Sequence, residues 1–419
     1  MKILTLNCGS SSIKFDVIST SVEVMQKGQD YSIVRGVIER IGTENAIVRY
    51  KLPNGDGFKG EEKILDHKIA LKRIVDILTG DKPRILNSLS EINGVGHRVV
   101  HGGESFSKSV IINDAVENEI IACSEFEPLH NPQNLSGIKV ASEFFPSIPH
   151  VAVFDTGFHH SIPAKAFLYA LPYDIYQKYK MRRYGFHGTS HRYVSQQAIK
   201  FLGIPSENSK IITAHLGNGC SITAVSGGRS IDTSMGHTPL EGLMMGTRCG
   251  DLDPAVILHI MNKEKLNIAD ADSLMNKKSG LLGVSGISND LREVEEAREQ
   301  GNERAKLAID IFCYRLKKYI TAYAGALGGL DALVFTGGIG ENSSLIRELS
   351  TNGLEFMGTK IDLAKNNANG GRICKEDRLV DISAVGTDGN YSRVRTLVIP
   401  TNEELIIARD TVLCIEKLL

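Results

Sequence analysis

The segment KIITAHLGNGCSITAVSGG (Lys210–Gly228) decides how the fold is read. KIITAH (Lys210–His215) and CSITAVSGG (Cys220–Gly228) read as strands, and LGNG (Leu216–Gly219) between them reads as a tight turn. The amino terminus carries a related layout. KILTLN (Lys2–Asn7) alternates apolar and polar residues, GSSS (Gly9–Ser12) turns the chain, and IKFDVIS (Ile13–Ser19) is strand-like again. SIVRGVIE (Ser32–Glu39) and AIVRYKL (Ala46–Leu52) add two strands, PNGDG (Pro53–Gly57) is a turn, and Ile69, Ile74, Ile77 and Leu78 mark a helix. The opening therefore reads as strand, turn, three further strands, then helix. After the second hairpin, Ala305, Ala308, Ile309, Phe312, Leu316, Tyr319, Ile320, Tyr323 and Leu327 recur at three- and four-residue steps, the period of a long amphipathic helix. DALVFTGGIGENS (Asp331–Ser343) follows as a buried strand, a Gly-rich turn and a helix start. The halves share a layout, although only their turn chemistry matches by identity.

These patterns predict an α/β protein in two parts, with a boundary near VAVFDTGFHH (Val151–His160). The expected division is 1–155, joined by a terminal helix over 403–419, and 156–402. By pattern alone that helix has no evident home and can pack on either half.

The chain has 419 residues, with 48 Lys+Arg against 49 Asp+Glu, which argues against nucleic acid as a partner because a phosphate backbone calls for a basic face. A 42% hydrophobic and 23% charged composition excludes intrinsic disorder and leaves ample material for sizeable cores. No apolar run approaches the ~20 residues that span a bilayer. The start, MKILTLNCGSSS, is broken too early for a signal peptide, so a cytoplasmic protein is expected, with no membrane association. The 7 cysteines are scattered without a CxxC motif, as for reduced thiols.

A P-loop needs Gly-Lys, which the chain lacks, and GVGHRV (Gly94–Val99) lacks the third glycine of GxGxxG. Three Gly-rich turns after apolar strands remain: NCGSSSIK (Asn7–Lys14), HLGNG (His215–Gly219) and TGGIGENS (Thr336–Ser343). Glycine lets successive backbone N–H groups approach an oxyanion. Each turn alone is more often a plain connector; the set points to a bound nucleotide. Arginine and histidine dominate the other polar segments: GHRVVHGGE (Gly96–Glu104), EPLHNPQN (Glu127–Asn134), RRYGFHGTSHRYV (Arg182–Val194) and the long loop DTSMGHTPLEGLMMGTRCGDLDP (Asp232–Pro254). Arg98 can equally brace two elements and Arg248 can pair with Asp251; together the cations suit an anionic substrate. In HGTSH, Gly188 and the missing glutamate argue against zinc.

NCGSSSIK, HRVVHGG, PLHNP, FDTGFH, RRYGFHGTSH, HLGNG, DTSMGHTPLEGLMMGTR, SGISNDLR, GGIGENS and TNEEL run from Asn7 to Leu405 in the order found in the acetate kinase family. The chain resembles that family, which belongs to the sugar kinase/heat-shock chaperone ATPase/actin superfamily. The resemblance implies an α/β fold of two RNase H-like (actin-like ATPase) domains with a nucleotide cleft between them. It implies reversible transfer of phosphate from ATP to acetate, giving ADP and acetyl phosphate. It also implies magnesium as cofactor, with manganese as an alternative, and a homodimer joined through the carboxy-terminal domain.

Roles follow by position. Asp155, His187, Arg248 and Arg98 match catalytic residues. Arg98, Val100, Leu129, His130, Phe186 and Pro239 match the acetate pocket. Lys14, His215, Leu216, Gly217, Asn218, Gly219, Asp290, Leu291, Arg292, Gly338, Ile339, Gly340, Glu341 and Asn342 match ATP contacts, and Asn7 and Glu403 match the magnesium-linked positions. His237 and Cys249 stand where many relatives have Phe and Ser, and Gly157 replaces a common Ala. Two alternatives stay open: a propionate or butyrate kinase with a wider pocket, and a nucleotide-switched binding module of the actin type.

Overall fold

In the computed structural model, which describes residues 1–417 apart from 82, 127–129, 375–377, 387, 388 and 390, the chain divides into two units. Met1–Phe158 and Asn402–Leu419 form one, and His159–Thr401 the other. The first unit is built on strands β1 (Lys2–Cys8), β2 (Ser12–Ser19), β3 (Tyr31–Glu39), β4 (Thr43–Lys51), β5 (Gly57–Ile64), β6 (Ile92–Val99), β7 (Val110–Ile111) and β8 (His150–Phe154), in the order β5-β4-β3-β2-β1-β6-β8-β7. β1 to β5 form an antiparallel meander, and β6 and β8 run parallel to β1. The opening therefore holds five strands where the pattern predicts four. β5 (GFKGEEKI) is polar and mostly exposed, so it carries little apolar signal; its pairing with β4 forms it. A short helix, Val22–Lys27, capped by Ser21, also escapes the pattern.

β1 is buried on both faces rather than alternating. Leu4, Leu6, Phe15 and Val17 pack with Ala70, Leu71, Ile74 and Ala141 of helices His67–Thr79 and Asn131–Phe144. On the other face, Ile3 and Ile18 pack with Ala408 and Val412, and Val151 and Val153 with Ile407 and Cys414. The helix Glu403–Ile415 is thus a structural part of the first unit. Each fully buried Ile or Val on it contributes about 1.5–3 kcal/mol. It reaches the sheet because β6 presents glycine: a Cβ on Gly96 would lie 2.4 Å from Thr411 Oγ1 and 2.6 Å from Ile407 Cγ2.

The second unit repeats the plan. β9 (Lys210–Leu216), β10 (Cys220–Ser226), β11 (Arg229–Thr233), β12 (Ala332–Thr336), β13 (Val380–Asp381) and β14 (Arg395–Val398) lie in the order β11-β10-β9-β12-β14-β13. β11-β10-β9-β12-β14 matches β3-β2-β1-β6-β8 in order and in strand direction, and a short antiparallel strand closes the same edge in each unit. Helices Gly188–Leu202 and Glu303–Leu327 pack on this sheet. The glycines of TGGIGENS do not form a separate turn. β12 ends at Thr336, and the helix Gly337–Asn342 begins at once, with Gly337 at φ 77°.

Gly96→Ala should destabilise the protein by about 1–3 kcal/mol, because the helix above has no free space to yield. Denaturant unfolding should show a lower midpoint; an unchanged midpoint would contradict this account of helix packing.

Candidate active site

Alternation along the strands builds the polar end of the first unit. Residues two apart share a face, so Asn7 lies on the side of Ile3, Lys14 and Asp16 on that of Ile18, and Arg98 on that of Gly96. Helix Glu403–Ile415 covers this face with apolar residues along most of its length and presents Glu403 and Glu404 in its first turn. Asn7 and Lys14 are direct cross-strand neighbours. Asp155 continues β8, its N–H donating to Val99 O at 2.9 Å.

Arg98 and Asp155 form the centre of the cluster. Arg98 Nε donates to Asp155 Oδ1 at 3.0 Å, Nη2 to Oδ2 at 2.5 Å, and Nη1 to Asn7 Oδ1 at 3.3 Å. The Asp155 side chain is 1% exposed and that of Arg98 21%. Burial pushes the guanidinium pKa down, but Asp155 and Glu403 outweigh it and hold the group above its ordinary value. Burial pushes the Glu403 carboxyl up; Arg98 draws it down, and Asp155 and Glu404 raise it further. This is a fixed cation within an excess of carboxylates.

In the second unit, His187 caps the helix Gly188–Leu202 with φ 56°, a left-handed conformation that costs a non-glycine residue of the order of 1–3 kcal/mol. Its Nδ1 lies 2.9 Å from Ser221 Oγ, and its ring centroid 4.4 Å from that of His215. Arg248 Nη1 donates to Pro239 O at 3.2 Å. A Cβ added to Gly219 would lie 3.5 Å from Arg248 Nη1 and 3.6 Å from His187 Nε2, so the tips of both side chains converge on the glycine turn between β9 and β10. Asp251, the alternative partner of Arg248, instead accepts from Gly242 N and from the Tyr319 hydroxyl.

Behind His187 lies a buried polar layer. His191 Nδ1 is 2.7 Å from Thr213 Oγ1 and its Nε2 2.6 Å from Ser221 Oγ; His159 bonds Ser230 Oγ and Phe186 O, each at 2.9 Å. Burial, reinforced by His159 and His215, pushes His191 well below the ordinary imidazole value. Burial pushes His159 down to about 4, with the Phe186 carbonyl opposing and Arg183 assisting.

A cavity of about 590 Å³ opens beside the same turn. Of the residues assigned to nucleotide, Gly217, Asn218, Asp290, Leu291, Arg292, Gly338, Ile339 and Asn342 line it. His215, Leu216, Gly219, Gly340 and Glu341 do not, and Lys14 belongs to the first unit. Leu216 and Gly340 are buried, and Glu341 Oε1 accepts from Gly337 N at 2.9 Å and Thr401 N at 3.3 Å. Asn289, Glu295, Ser343, Gly370 and Arg372 also line the cavity and were missed. Asn289 and Ser343 sit inside the quoted strings SGISNDLR and GGIGENS; Glu295, Gly370 and Arg372 carry no sequence signal. Of the residues assigned to acetate, Val100 (6% exposed) and His130 belong to the first unit and Phe186 (2% exposed) and Pro239 to the second, while Leu129 lies outside the described residues.

Among the described residues no group of three or more His, Cys, Asp or Glu is placed to hold a metal. The donor types of the first-unit cluster, the carboxylates of Asp155 and Glu403 and the amide oxygen of Asn7, nevertheless suit a small hard cation, and Asp155 and Glu404 add negative charge beside Glu403 while Arg98 and Lys14 oppose it.

The family model for the acetokinase family matches residues 2–409. An acetate kinase of Halothermothrix orenii is 51% identical over 417 residues, covering 100% of both chains. The crystal structure of Porphyromonas gingivalis acetate kinase superposes with a TM-score of 0.88 at 45% identity, covering 99% of each chain. That of a propionate kinase from Francisella tularensis gives 0.86 at 42% identity, covering 100% of each.

His191 and His159 should stay neutral in the folded protein from pH 8 to 5.5. The stability they confer is complete above the unfolded value near 6.5 and is lost as pH falls toward the depressed folded values. Histidine ring-proton NMR should show both signals unmoved over that range; a midpoint near 6.5 for either would contradict the buried network.

Proposed function

The chain belongs to the acetokinase family, phosphotransferases with a carboxyl group as acceptor, and from that premise we propose that it moves the γ-phosphoryl group of ATP to acetate, reversibly and by direct in-line transfer. The observation that carries this reading is the convergence of His187 Nε2 and Arg248 Nη1 on the glycine turn whose Gly217 and Asn218 line the cavity. A nucleotide in that cavity has its phosphates beside two fixed donors.

Acetate is already ionised at neutral pH, so no strong base is needed. The barrier is the approach of one anion to another, and catalysis reduces to positioning and charge neutralisation. Arg98 suits the acetate carboxylate, since its charge is permanent and Asp155 fixes its orientation. Asp155 thereby acts as an anchor and not as a proton acceptor. Arg248 and His187 suit the equatorial oxygens of the transferring group, and Lys14 the ATP phosphates. Asn7 and Glu403, with Asp155 ordering its water shell, would hold magnesium, or manganese in its place. When bound, the ion supplies further neutralisation of phosphate oxygens. By the family pattern Val100, Leu129, Phe186 and Pro239 are the positions assigned to the acetate methyl group, and His130 is assigned to the substrate.

The exposed apolar side chains of helix Pro254–Glu264, with Val256 45% and Leu258 68% exposed, support a homodimer through the second unit. Seven free cysteines and the use of ATP support a cytoplasmic setting, and among the described residues no helix is long and apolar enough to cross a membrane.

Arg248→Leu should lower turnover by at least about 10²-fold while nucleotide affinity changes little, by analogy with other arginines that stabilise phosphoryl transfer. Acyl phosphate trapped as the hydroxamate measures it, and near-normal turnover would remove Arg248 from the mechanism. The propionate kinase similarity makes the longer acid a second reading. One methylene is worth about 1–3 kcal/mol, and a branched Val100 at a position the family pattern assigns to the acetate pocket favours the shorter acid. The kcat/KM for acetate should exceed that for propionate; a clear propionate preference would overturn the assignment.

A further inference from the structure

Ser221 sits on β10 directly opposite His215 and is fully buried. Its hydroxyl lies between two imidazoles, 2.9 Å from His187 Nδ1 and 2.6 Å from His191 Nε2. A hydroxyl has one proton and can donate to only one of them. His191, itself fully buried, is kept neutral by its surroundings and carries one ring proton, and its other nitrogen is 2.7 Å from the Thr213 hydroxyl. Because the buried hydroxyl proton must itself find an acceptor, proton counting leaves two consistent chains. In one, Thr213 donates to His191 Nδ1, His191 Nε2–H donates to Ser221, and Ser221 donates to His187 Nδ1. In the other, every arrow is reversed and His187 Nδ1 carries the proton.

The groups around His187 select between them. The permanent cation of Arg248 shares its end of the Gly219 turn, so a second positive charge there is disfavoured; the His215 ring lies tilted beside that of His187, centroids 4.4 Å apart. A neutral His187 with its proton on Nδ1 would turn a lone pair from Nε2 toward phosphate oxygens, which is repulsive. With the proton on Nε2 it donates to them.

We propose that Ser221 is a positioning residue for phosphoryl transfer: braced by His191, it donates to His187 Nδ1 and so holds the His187 proton on Nε2, where it faces the transferring group. The inference rests on the assignment of His187 as a phosphoryl donor and adds the device that sets its tautomer. The serine is a relay of orientation and touches no substrate. Its strand position fixes the oxygen, and the strained backbone at His187 holds the ring against it.

The test combines histidine NMR with kinetics on the full-length enzyme. Long-range ¹H–¹⁵N correlation on ¹⁵N-histidine-labelled wild type, with His187 assigned from the signal lost in His187→Ala, should show the Nε2–H tautomer. Ser221→Ala should lower kcat by roughly 10–100-fold, by analogy with the hydrogen-bond partners that orient metal-ligating histidines, with the KM for ATP within about 3-fold. Adding Ser221→Ala to His187→Ala should cost nothing more. An Nδ1–H tautomer in wild type, a Ser221→Ala kcat within about 2-fold of wild type, or a further loss in the double variant would overturn the proposal. A wild-type kcat for His187→Ala would instead remove the reading of the site on which it rests. The wild-type tautomer measurement does not depend on any serine variant folding.

Discussion

The Arg98–Asp155 ion pair is the constraint on which the first unit's polar end depends. Taking an arginine and a carboxylate out of water costs several kcal/mol per ion, and only a close, multiply bonded pair offsets it. Here Asp155 Oδ2 lies 2.5 Å from Nη2 and Oδ1 3.0 Å from Nε, so both carboxylate oxygens are engaged. The pair ties the end of β6 to the chain just after β8, and Nη1 extends it to β1 through Asn7. Three neighbouring strands therefore end in one hydrogen-bonded group, and the helix that seals the face contributes Glu403 at its first turn. The charge is held rigid by the same packing that forms the core beneath it.

The second unit uses the same sheet plan with a different solution. The layer behind His187 is made of histidines and hydroxyls, flanked by the Arg183–Glu241 ion pair, and burial pushes His191 and His159 toward the neutral form. Only at the glycine turn do the permanent cation of Arg248 and the ring of His187 emerge. A duplicated strand order thus supports two kinds of polar cluster: in one unit a cation anchored by carboxylates, in the other a donor pair backed by a neutral network.

Much of this was legible in the sequence because periodicity reports packing. The hairpins Lys2–Ser19 and Lys210–Ser226 and the helix over Glu303–Leu327 carry strong apolar patterns and appear where those patterns lie. The strand Gly57–Ile64 was not legible: it is a polar edge whose formation depends on its neighbour. The Gly-rich stretch after β12 has the pattern of a turn, but Gly337 takes a positive φ from which the helix starts directly after Thr336. Named motifs pointed to Arg98, Asp155, His187 and Arg248, yet no motif told that Arg98 grips Asp155. Ser221, in an ordinary strand of small residues, gave no hint that it stands between two histidines. Glu295 and Arg372 reach the cavity from segments with no distinctive spacing. Side-chain partnership across strands is set by register, which a linear pattern does not print.

The central claim is that fixed positive groups offset the repulsion between two anions most fully at the transition state. Binding of ADP with acetate and a trigonal fluoride mimic of the phosphoryl group measures this most directly. Calorimetry with magnesium should show that Arg248→Leu weakens capture of the mimic complex by at least about 10²-fold while ADP alone binds within a few-fold of wild type. Equal losses for ADP and for the mimic would mean that the arginine holds nucleotide in general, and would contradict the account.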